Sequence, residues 1–466
     1  MPWPELIPAL TVTSGGARTV ALPAAAWVAS FDVRGRRLVV RAGSVRVLTL
    51  ARASRWRHVE ITNRWVSVDG RSFRWRSEGA LPLSFTGSAA VRALIVSAAS
   101  DRGALLLHRL AELHARVPVR RFPEGAGVDD RLHYGDRYWT SGFWPGALWQ
   151  AAALAPAGGL FARWALQATV AHFGQERADT HDVGFMYGQS SLAAFAALCQ
   201  REGPHPRVCA RLRRSTLSAA DELVALAAAN SRAGAIPTRS TSGDTIVDSM
   251  MNIAILPWAT RVTGDPVYAR VASRHAHAVA SLLVRSDGST AQSVNFDPAT
   301  GRVLLVSTHQ GLSAASTWSR GQGWAVYGFA VAASELHDAE LLHVALRTAA
   351  YVARHLPAVG VPPWDYDAPP GSPVDVSAGV ITAAGLFHLA QACGSFPGVC
   401  PNPGQWRLLG RRMLAAALSH ASSVPPLGFL GGQVLNERGR GCWCDGGELI
   451  FGLTYGLEAL RLSENG

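Results

Sequence analysis

Residues 244–283 read DTIVDSMMNIAILPWATRVTGDPVYARVASRHAHAVASLL, two apolar stretches at helical period parted by Gly264, Asp265 and Pro266. Apolar residues three and four apart predict a helix near 246–263 and a second near 265–285. Asp244 is expected to cap the first. Asp265 supplies an N-cap for the second, with Pro266 in its first turn, where a missing N–H is harmless. Two helices with so short a break make a hairpin.

The same pattern recurs from about residue 99 to the end, with Asp338 and Asp375 opening the helices that follow them. It predicts roughly twelve helices, near 99–116, 141–155, 157–173, 188–202, 205–229, 246–263, 265–285, 317–335, 338–356, 375–393, 403–422 and 447–463. Their connections alternate short and long, so they pair as six hairpins that can close into an (α/α)6 barrel. The longer loops, 117–140, 174–187, 230–246, 286–316, 357–376 and 423–446, then collect at one end and hold the chemically unusual residues.

The first 95 residues or so differ. RRLVVRAGSVRVLTL and HVEITNRWVSVDGRSFRW alternate in short runs, and Asp69-Gly70 signals a hairpin. LPLSFTG and VRALIVSA look like two closing strands. The chain is therefore expected to be mainly α, with a barrel over 98–466 preceded by a small β-sandwich-like accessory domain over 1–97.

Of the 466 residues, 48% are hydrophobic and 17% charged, below the roughly 25% of ordinary soluble domains, which excludes disorder and predicts a large core. No apolar run approaches the ~20 residues of a membrane span. The opening MPWPELIPALTV lacks the basic start and long apolar stretch of a secretory leader, so a cytoplasmic location is expected.

The net charge is 44 − 33 = +11, and every basic residue is arginine. These arginines are scattered, with neither a basic stripe nor a nucleic-acid reader module, so no nucleic-acid partner is expected; a positive field favours anionic ligands. Six cysteines form three local pairs: Cys199 with Cys209, Cys393 with Cys400, and Cys442 with Cys444. The first two pairs could staple turns between helices or stay as free thiols. Cys442-Trp-Cys444 has no second pair at zinc spacing, and His275 and His277, two apart on a helix, point to different faces, so no metal is assigned.

Five segments carry polar or aromatic residues suited to chemistry. In YWTSGFWPGALWQ, 138–150, Ser141 can cap a helix and Trp139, ahead of it, can present a flat face to a sugar. In HDVGFMYG, 181–188, Asp182 beside His181 is either a turn residue or a cleft carboxylate. Asp248 shares a helix face with Met251 and Asn252 in a nearly all-apolar stretch; it is either a satisfied core group or half of a working carboxylate pair. In THQGLSAASTWSRGQGWAVYG, 308–328, Arg320 and Gln322 lie between Trp318 and Trp324, with a structural carboxylate as the alternative partner for Arg320. In the fifth, 362–385, Asp365, Asp367 and Asp375 could be loop and cap residues, and Asp375 is expected to be a cap. Nucleophile-elbow, phosphate-loop and zinc-helix motifs are absent from the sequence.

Taken together, WTSGFWPGALW, HDVGFMY, IVDSMMNIAIL, THQG, STWSRGQGWAVYGFA, PPWDYDAP and LIFGLTYGLEAL, in that order over roughly 100–463, resemble glycoside hydrolase family 88, the unsaturated glucuronyl hydrolases. The resemblance implies an (α/α)6-barrel catalytic domain without a cofactor. It implies an anionic oligosaccharide substrate bearing the 4,5-unsaturated uronic acid that polysaccharide lyases leave at the non-reducing end. The family aspartates map onto Asp182 and Asp248, and substrate-binding positions onto Trp139, His181, Gln310, Arg320 and Trp324. Gln292 stands where the family commonly has histidine and is carried as a further substrate-binding position. Other departures are Tyr138 for an aspartate, the loss of an aromatic near Thr238, and Gly452-Leu453-Thr454-Tyr455 at the closing motif. Gln433, Asn436 and Arg440 are candidates for the uronate carboxylate.

The implied chemistry is hydration of a vinyl ether, with Asp182 expected as general acid and then base, and Asp248 as its electrostatic partner. The alternatives are an unsaturated rhamnogalacturonyl hydrolase, a catalytically lapsed carbohydrate-binding protein, and a polysaccharide lyase. The lyase needs a Tyr/His base pair that the motifs do not supply. No membrane partner is expected, and nothing in the sequence bears on oligomeric state.

Overall fold

The computed structural model describes residues 102–420 and 446–464, apart from 128, 130, 156–158, 200–205, 230 and 231, together with eight strands between 5 and 98. These strands are β1 (Glu5–Val12), β2 (Ala17–Val20), β3 (Trp27–Ala42), β4 (Val45–Leu50), β5 (Ala53–Thr62), β6 (Trp65–Val68), β7 (Arg71–Arg74) and β8 (Leu83–Ala98). They form one antiparallel sheet in the order β1-β8-β3-β5-β6-β7, with β2 also on β8 and β4 also on β3. Strand β3 gives up β5 for β4 halfway along, across a register shift between Gly35 and Arg37. Bulged strands that change partners are how one sheet turns a corner toward a second layer. The two expected closing strands are one, β8, which runs straight through Gly87-Ser88. Val68 pairs with Arg71 across the expected hairpin, whose Asp69 and Gly70 lie outside the described residues.

Helical structure begins with α1 (Arg102–Arg116), which packs against β3, β5 and β8. It continues through α2 (Phe143–Leu154), α3 (Gly159–His172), α4 (Val183–Tyr187), α5 (Ala193–Leu198), α6 (Pro206–Ala229), α7 (Ser249–Asn252) and α8 (Ile255–Thr263). Then follow α9 (Val267–Leu283), α10 (Ser319–Leu336), α11 (Ala339–His355), α12 (Val376–Ser395), α13 (Pro403–Leu418) and α14 (Ile450–Glu464). Each of the twelve expected helices is present, two of them in pieces, and α4 lies in the 174–187 stretch read from sequence as a loop. A π turn, Gly188–Leu192, joins α4 to α5, and α7 stops short of α8. Pro257 explains the second break: it lacks an N–H, and its ring crowds the carbonyl four residues back, at Ile253.

Contacts between elements define two rings. The inner runs α2, α4–α5, α7–α8, α10, α12, α14 and back to α2; α1, α3, α6, α9, α11 and α13 surround it. This is the (α/α)6 barrel. Inner helices are buried on most faces, which explains α12. It is long and apolar enough to cross a membrane, contrary to the expectation from sequence, yet nearly all of it is enclosed by neighbouring helices.

Capping follows the sequence in part. Asp338 accepts from the amides of Glu340 and Leu341, and Asp375 from that of Ala378. Asp265 accepts from the Val267 amide. Asp244 does not cap a helix. With β-branched Thr245, Ile246 and Val247 behind it, it opens a strand instead. Ser141 lies in a 3₁₀ turn, Trp139–Gly142, and its hydroxyl meets His172 Nε2 at 2.8 Å rather than capping α2.

Short strands complete one end of the barrel. Strand β9 (Pro123–Ala126) lies between β10 (Leu132–Tyr134) and the late Glu448–Leu449 segment and pairs with both. Another sheet joins β11 (Asp244–Ile246), β12 (Ser293–Phe296) and β13 (Val303–Ser307).

Disulfides Cys199–Cys209 and Cys393–Cys400 staple the α5–α6 and α12–α13 connections, which settles the alternatives left by the sequence; Cys442 and Cys444 lie outside the described residues. They close loops with sequence separations of 10 and 7. Reducing each is therefore expected to cost about 2–3 kcal/mol. Denaturant titrations with and without reductant should show an earlier midpoint in the reduced protein; coincident curves would contradict this.

Candidate active site

Two inner helices are pressed together backbone to backbone. A Cβ on Gly184 of α4 would lie 2.2 Å from the Asn252 carbonyl oxygen of α7, so only glycine fits. Asn252 secures the contact: its Oδ1 accepts from the Phe185 amide at 2.7 Å, and its Nδ2 reaches Asp182 Oδ1 at 3.5 Å. Asp182 directly precedes α4, and Asp248 directly precedes α7. The crossing therefore brings together two carboxylates far apart in sequence, at a cleft of about 280 Å³ that both of them line.

Their surroundings differ. Asp182 is 23% exposed; its Oδ2 accepts from the Thr180 hydroxyl at 3.1 Å, and its Oδ1 lies 3.4 Å from His181 Nε2. Asp248 is 8% exposed, and its Oδ1 is buried without a hydrogen-bond partner among the described residues. Burial pushes the Asp248 carboxyl up to about 7; Arg320 opposes the shift and the negative Asp182 adds to it. The surroundings of Asp248 thus favour its protonated form, whereas the sequence reading expected the acid at Asp182.

Arg320, in the first turn of α10, is almost wholly buried between the rings of Trp318 and Phe451, at 4.7 and 5.2 Å. Its Nη1 donates to Asp375 Oδ2 at 2.5 Å and to the Ser377 hydroxyl at 3.3 Å. Arg320 therefore has the structural carboxylate partner named as its alternative, and it also lines the cleft beside Asp248.

Trp139, His181 and Gln310 line the cleft as well. Trp139 is half-buried, with its ring 5.2 Å from that of Phe451. Two of the expected substrate-binding residues are not at the cleft. Trp324, one turn after Arg320 on the same face of α10, lies about 6 Å further along the axis. There it is fully buried among Phe185, Phe451 and Tyr455, beneath the floor. Gln292 is 3% exposed, and its Oε1 accepts from the Thr308 hydroxyl and from the His309 and Gln310 amides. It shapes the 308–311 loop and so positions His309 and Gln310. Gln433, Asn436 and Arg440 lie outside the described residues.

Sequence reasoning passed over the cleft residues Thr180, Phe185, Arg239, Asp244, Ile246 and His309, and registered Tyr138 and Thr238 only as departures from a pattern. Arg239 and Asp244 do fall in the 230–246 loop singled out as unusual. A serine–histidine pair adjoins the site, but it cannot act as nucleophile and base. His275 Nδ1 accepts from the Ile236 amide, so Nε2 carries the proton toward Ser249 Oγ, which donates to the Ile246 carbonyl. Among the described residues no group of three or more His, Cys, Asp or Glu side chains could hold a metal ion.

A helical barrel with paired carboxylates, an indole and a guanidinium at one end is built to work on a polar, ring-shaped substrate, as glycoside hydrolases do. No protein-family profile matches the chain. Individual proteins do match. The unsaturated glucuronyl hydrolase of Bacillus sp. strain GL1 is 36% identical over 58% of this chain and 72% of its own. The unsaturated chondroitin disaccharide hydrolase of Streptococcus pneumoniae is 30% identical over 76% of this chain and 88% of its own. A solved structure of UGL in an aspartate-to-asparagine form with dGlcA-Glc-Rha-Glc superposes with a TM-score of 0.68 at 29% identity, covering 76% of this chain and 93% of that one. The chain belongs to the unsaturated glucuronyl hydrolase family, glycoside hydrolase family 88.

Proposed function

We propose that this enzyme removes the 4,5-unsaturated uronic acid from the non-reducing end of lyase-generated oligosaccharides, with Asp248 as proton donor and Asp182 as base. The observation that carries this reading is the buried Asp248 carboxyl held at about 7 beside the more exposed Asp182. The scissile chemistry begins at an alkene rather than at the anomeric carbon. Asp248 gives its proton to C4, and positive charge develops at C5, shared with the ring oxygen. Water adds to C5 and loses a proton to Asp182. The resulting hemiketal opens to a C5 ketone, and the freed hemiacetal at C1 expels the neighbouring sugar as an alcohol.

An acid poised near the working pH suits this step. A neutral Asp248 also spares the pocket a second buried negative charge while the substrate's carboxylate is bound. Arg320, His181 and Gln310 supply charge and hydrogen-bonding groups around that carboxylate, and Trp139 supplies a face for the sugar ring.

Unsaturated glucuronyl disaccharides should lose their conjugated-alkene ultraviolet absorbance on mixing with the enzyme. The reaction needs protonated Asp248, so kcat/KM should be maintained below pH 7 and fall as pH rises through about 7. Rising absorbance on intact polysaccharide would make the protein a lyase. Unchanged absorbance across glucuronate- and galacturonate-derived substrates would leave a binding protein.

A further inference from the structure

We propose that Arg239 determines specificity by pairing with an anionic substituent, such as a sulfate, on the sugar that leaves. This rests on the hydrolase reading above and goes beyond it to the other half of the substrate.

Depth in the cleft separates the two halves. Asp248 and Arg320, 8% and 1% exposed, form the inner end, where an enzyme acting on a terminal residue holds that residue. Arg239 lines the same cleft but is exposed, as are Tyr138 and His309, and these residues form the rim. A disaccharide whose unsaturated ring reaches Asp248 leaves its second ring at that rim.

Arg239 is held out on a turn whose backbone and small polar side chains are extensively tied. Thr238 donates its hydroxyl to Asp244 Oδ1 at 2.6 Å, and the Arg239 amide donates to Ser242 Oγ at 3.0 Å. The Ser240 amide donates to Asp179 Oδ1 at 2.7 Å, and the His181 amide donates to the Thr238 carbonyl at 3.1 Å. The last bond ties the turn to the residue preceding Asp182. The turn's nearby carboxylates, Asp244 and Asp179, are thus engaged by its hydroxyl and amide groups. By contrast, among the described residues the Arg239 guanidinium has no hydrogen bond or ion pair, and its planar fork matches two oxygens of a sulfate or carboxylate.

The test compares kcat/KM for unsaturated chondroitin-type disaccharides carrying no sulfate, a 4-sulfate or a 6-sulfate, in wild type, Arg239→Gln and Arg239→Lys. Wild type should prefer one sulfated form, and that preference should weaken as salt is raised. The sulfated-to-unsulfated ratio should fall by about tenfold or more in Arg239→Gln, with partial retention in Arg239→Lys. Turnover with the same ratio in wild type and Arg239→Gln would overturn the role of Arg239 and leave the hydrolase reading standing. Absence of turnover on every disaccharide would overturn the hydrolase reading and this inference with it.

Discussion

Asp248→Asn is expected to lower kcat/KM by about 10³–10⁴-fold, within or near the usual range for loss of a general acid, while making the protein more stable above pH 7. The two effects share one cause. In the folded chain burial holds the Asp248 carboxyl at about 7, whereas in the unfolded chain it titrates near the ordinary 3.8. Between those values the unfolded state sheds the proton first, so rising pH erodes folding stability; above about 7 the loss is complete. Three pKa units correspond to an upper bound of about 4 kcal/mol, which a neutral amide should largely restore. The comparison to make is between unfolding free energies of the two proteins at several pH values. The advantage of the variant should be greatest above pH 7 and shrink toward pH 4. Equal stability at pH 8, or retained turnover, would show that Asp248 is not a strained buried acid.

The second large effect lies behind the cleft. Asp375→Ala should destabilise the barrel by about 3–5 kcal/mol, because it leaves the Arg320 guanidinium buried without its counter-charge. About 1 kcal/mol more is expected from the lost cap, since Asp375 Oδ1 also accepts from the Ala378 amide at the start of α12. Adding Arg320→Met should recover much of the loss, as a flexible apolar side chain can lie between Trp318 and Phe451 without an unpaired charge. Denaturant midpoints of the single and double variants provide the check. A double variant no more stable than Asp375→Ala would place the damage in the cap instead of the ion pair.

The barrel was legible because apolar inner helices such as α12 and amphipathic outer ones such as α11 are parted by Gly, Pro and Asp breaks, and because Asp338 and Asp375 mark helix starts with side chains that do cap. Helix integrity was less legible. The period of 246–263 continues across the break near Ile253, since period reports which residues are apolar and not which carbonyls Pro257 obstructs. Asp248 could be singled out as an acid in apolar company, and Asp182 only as a turn residue or cleft carboxylate until the resemblance paired them; how far each is buried is something residue type does not encode. Gln292 and Trp324 show a related limit. Each lies close to cleft residues in sequence, and each is turned into the interior, where it positions or underpins them. Arg239 is the converse case, an unremarkable surface residue until the turn is seen to overhang the cleft.

The Gly184–Asn252 crossing sets the spacing of Asp182 and Asp248 through a close main-chain approach, so that spacing is insulated from side-chain rearrangement elsewhere in the barrel. The backbone of the 238–242 turn is tied to His181 beside Asp182, but exposed side chains on it, Arg239 among them, stand at the rim away from the crossing. If Arg239 reads the leaving sugar, drift at that outward side chain can change the saccharides accepted while the paired carboxylates stay where the crossing holds them.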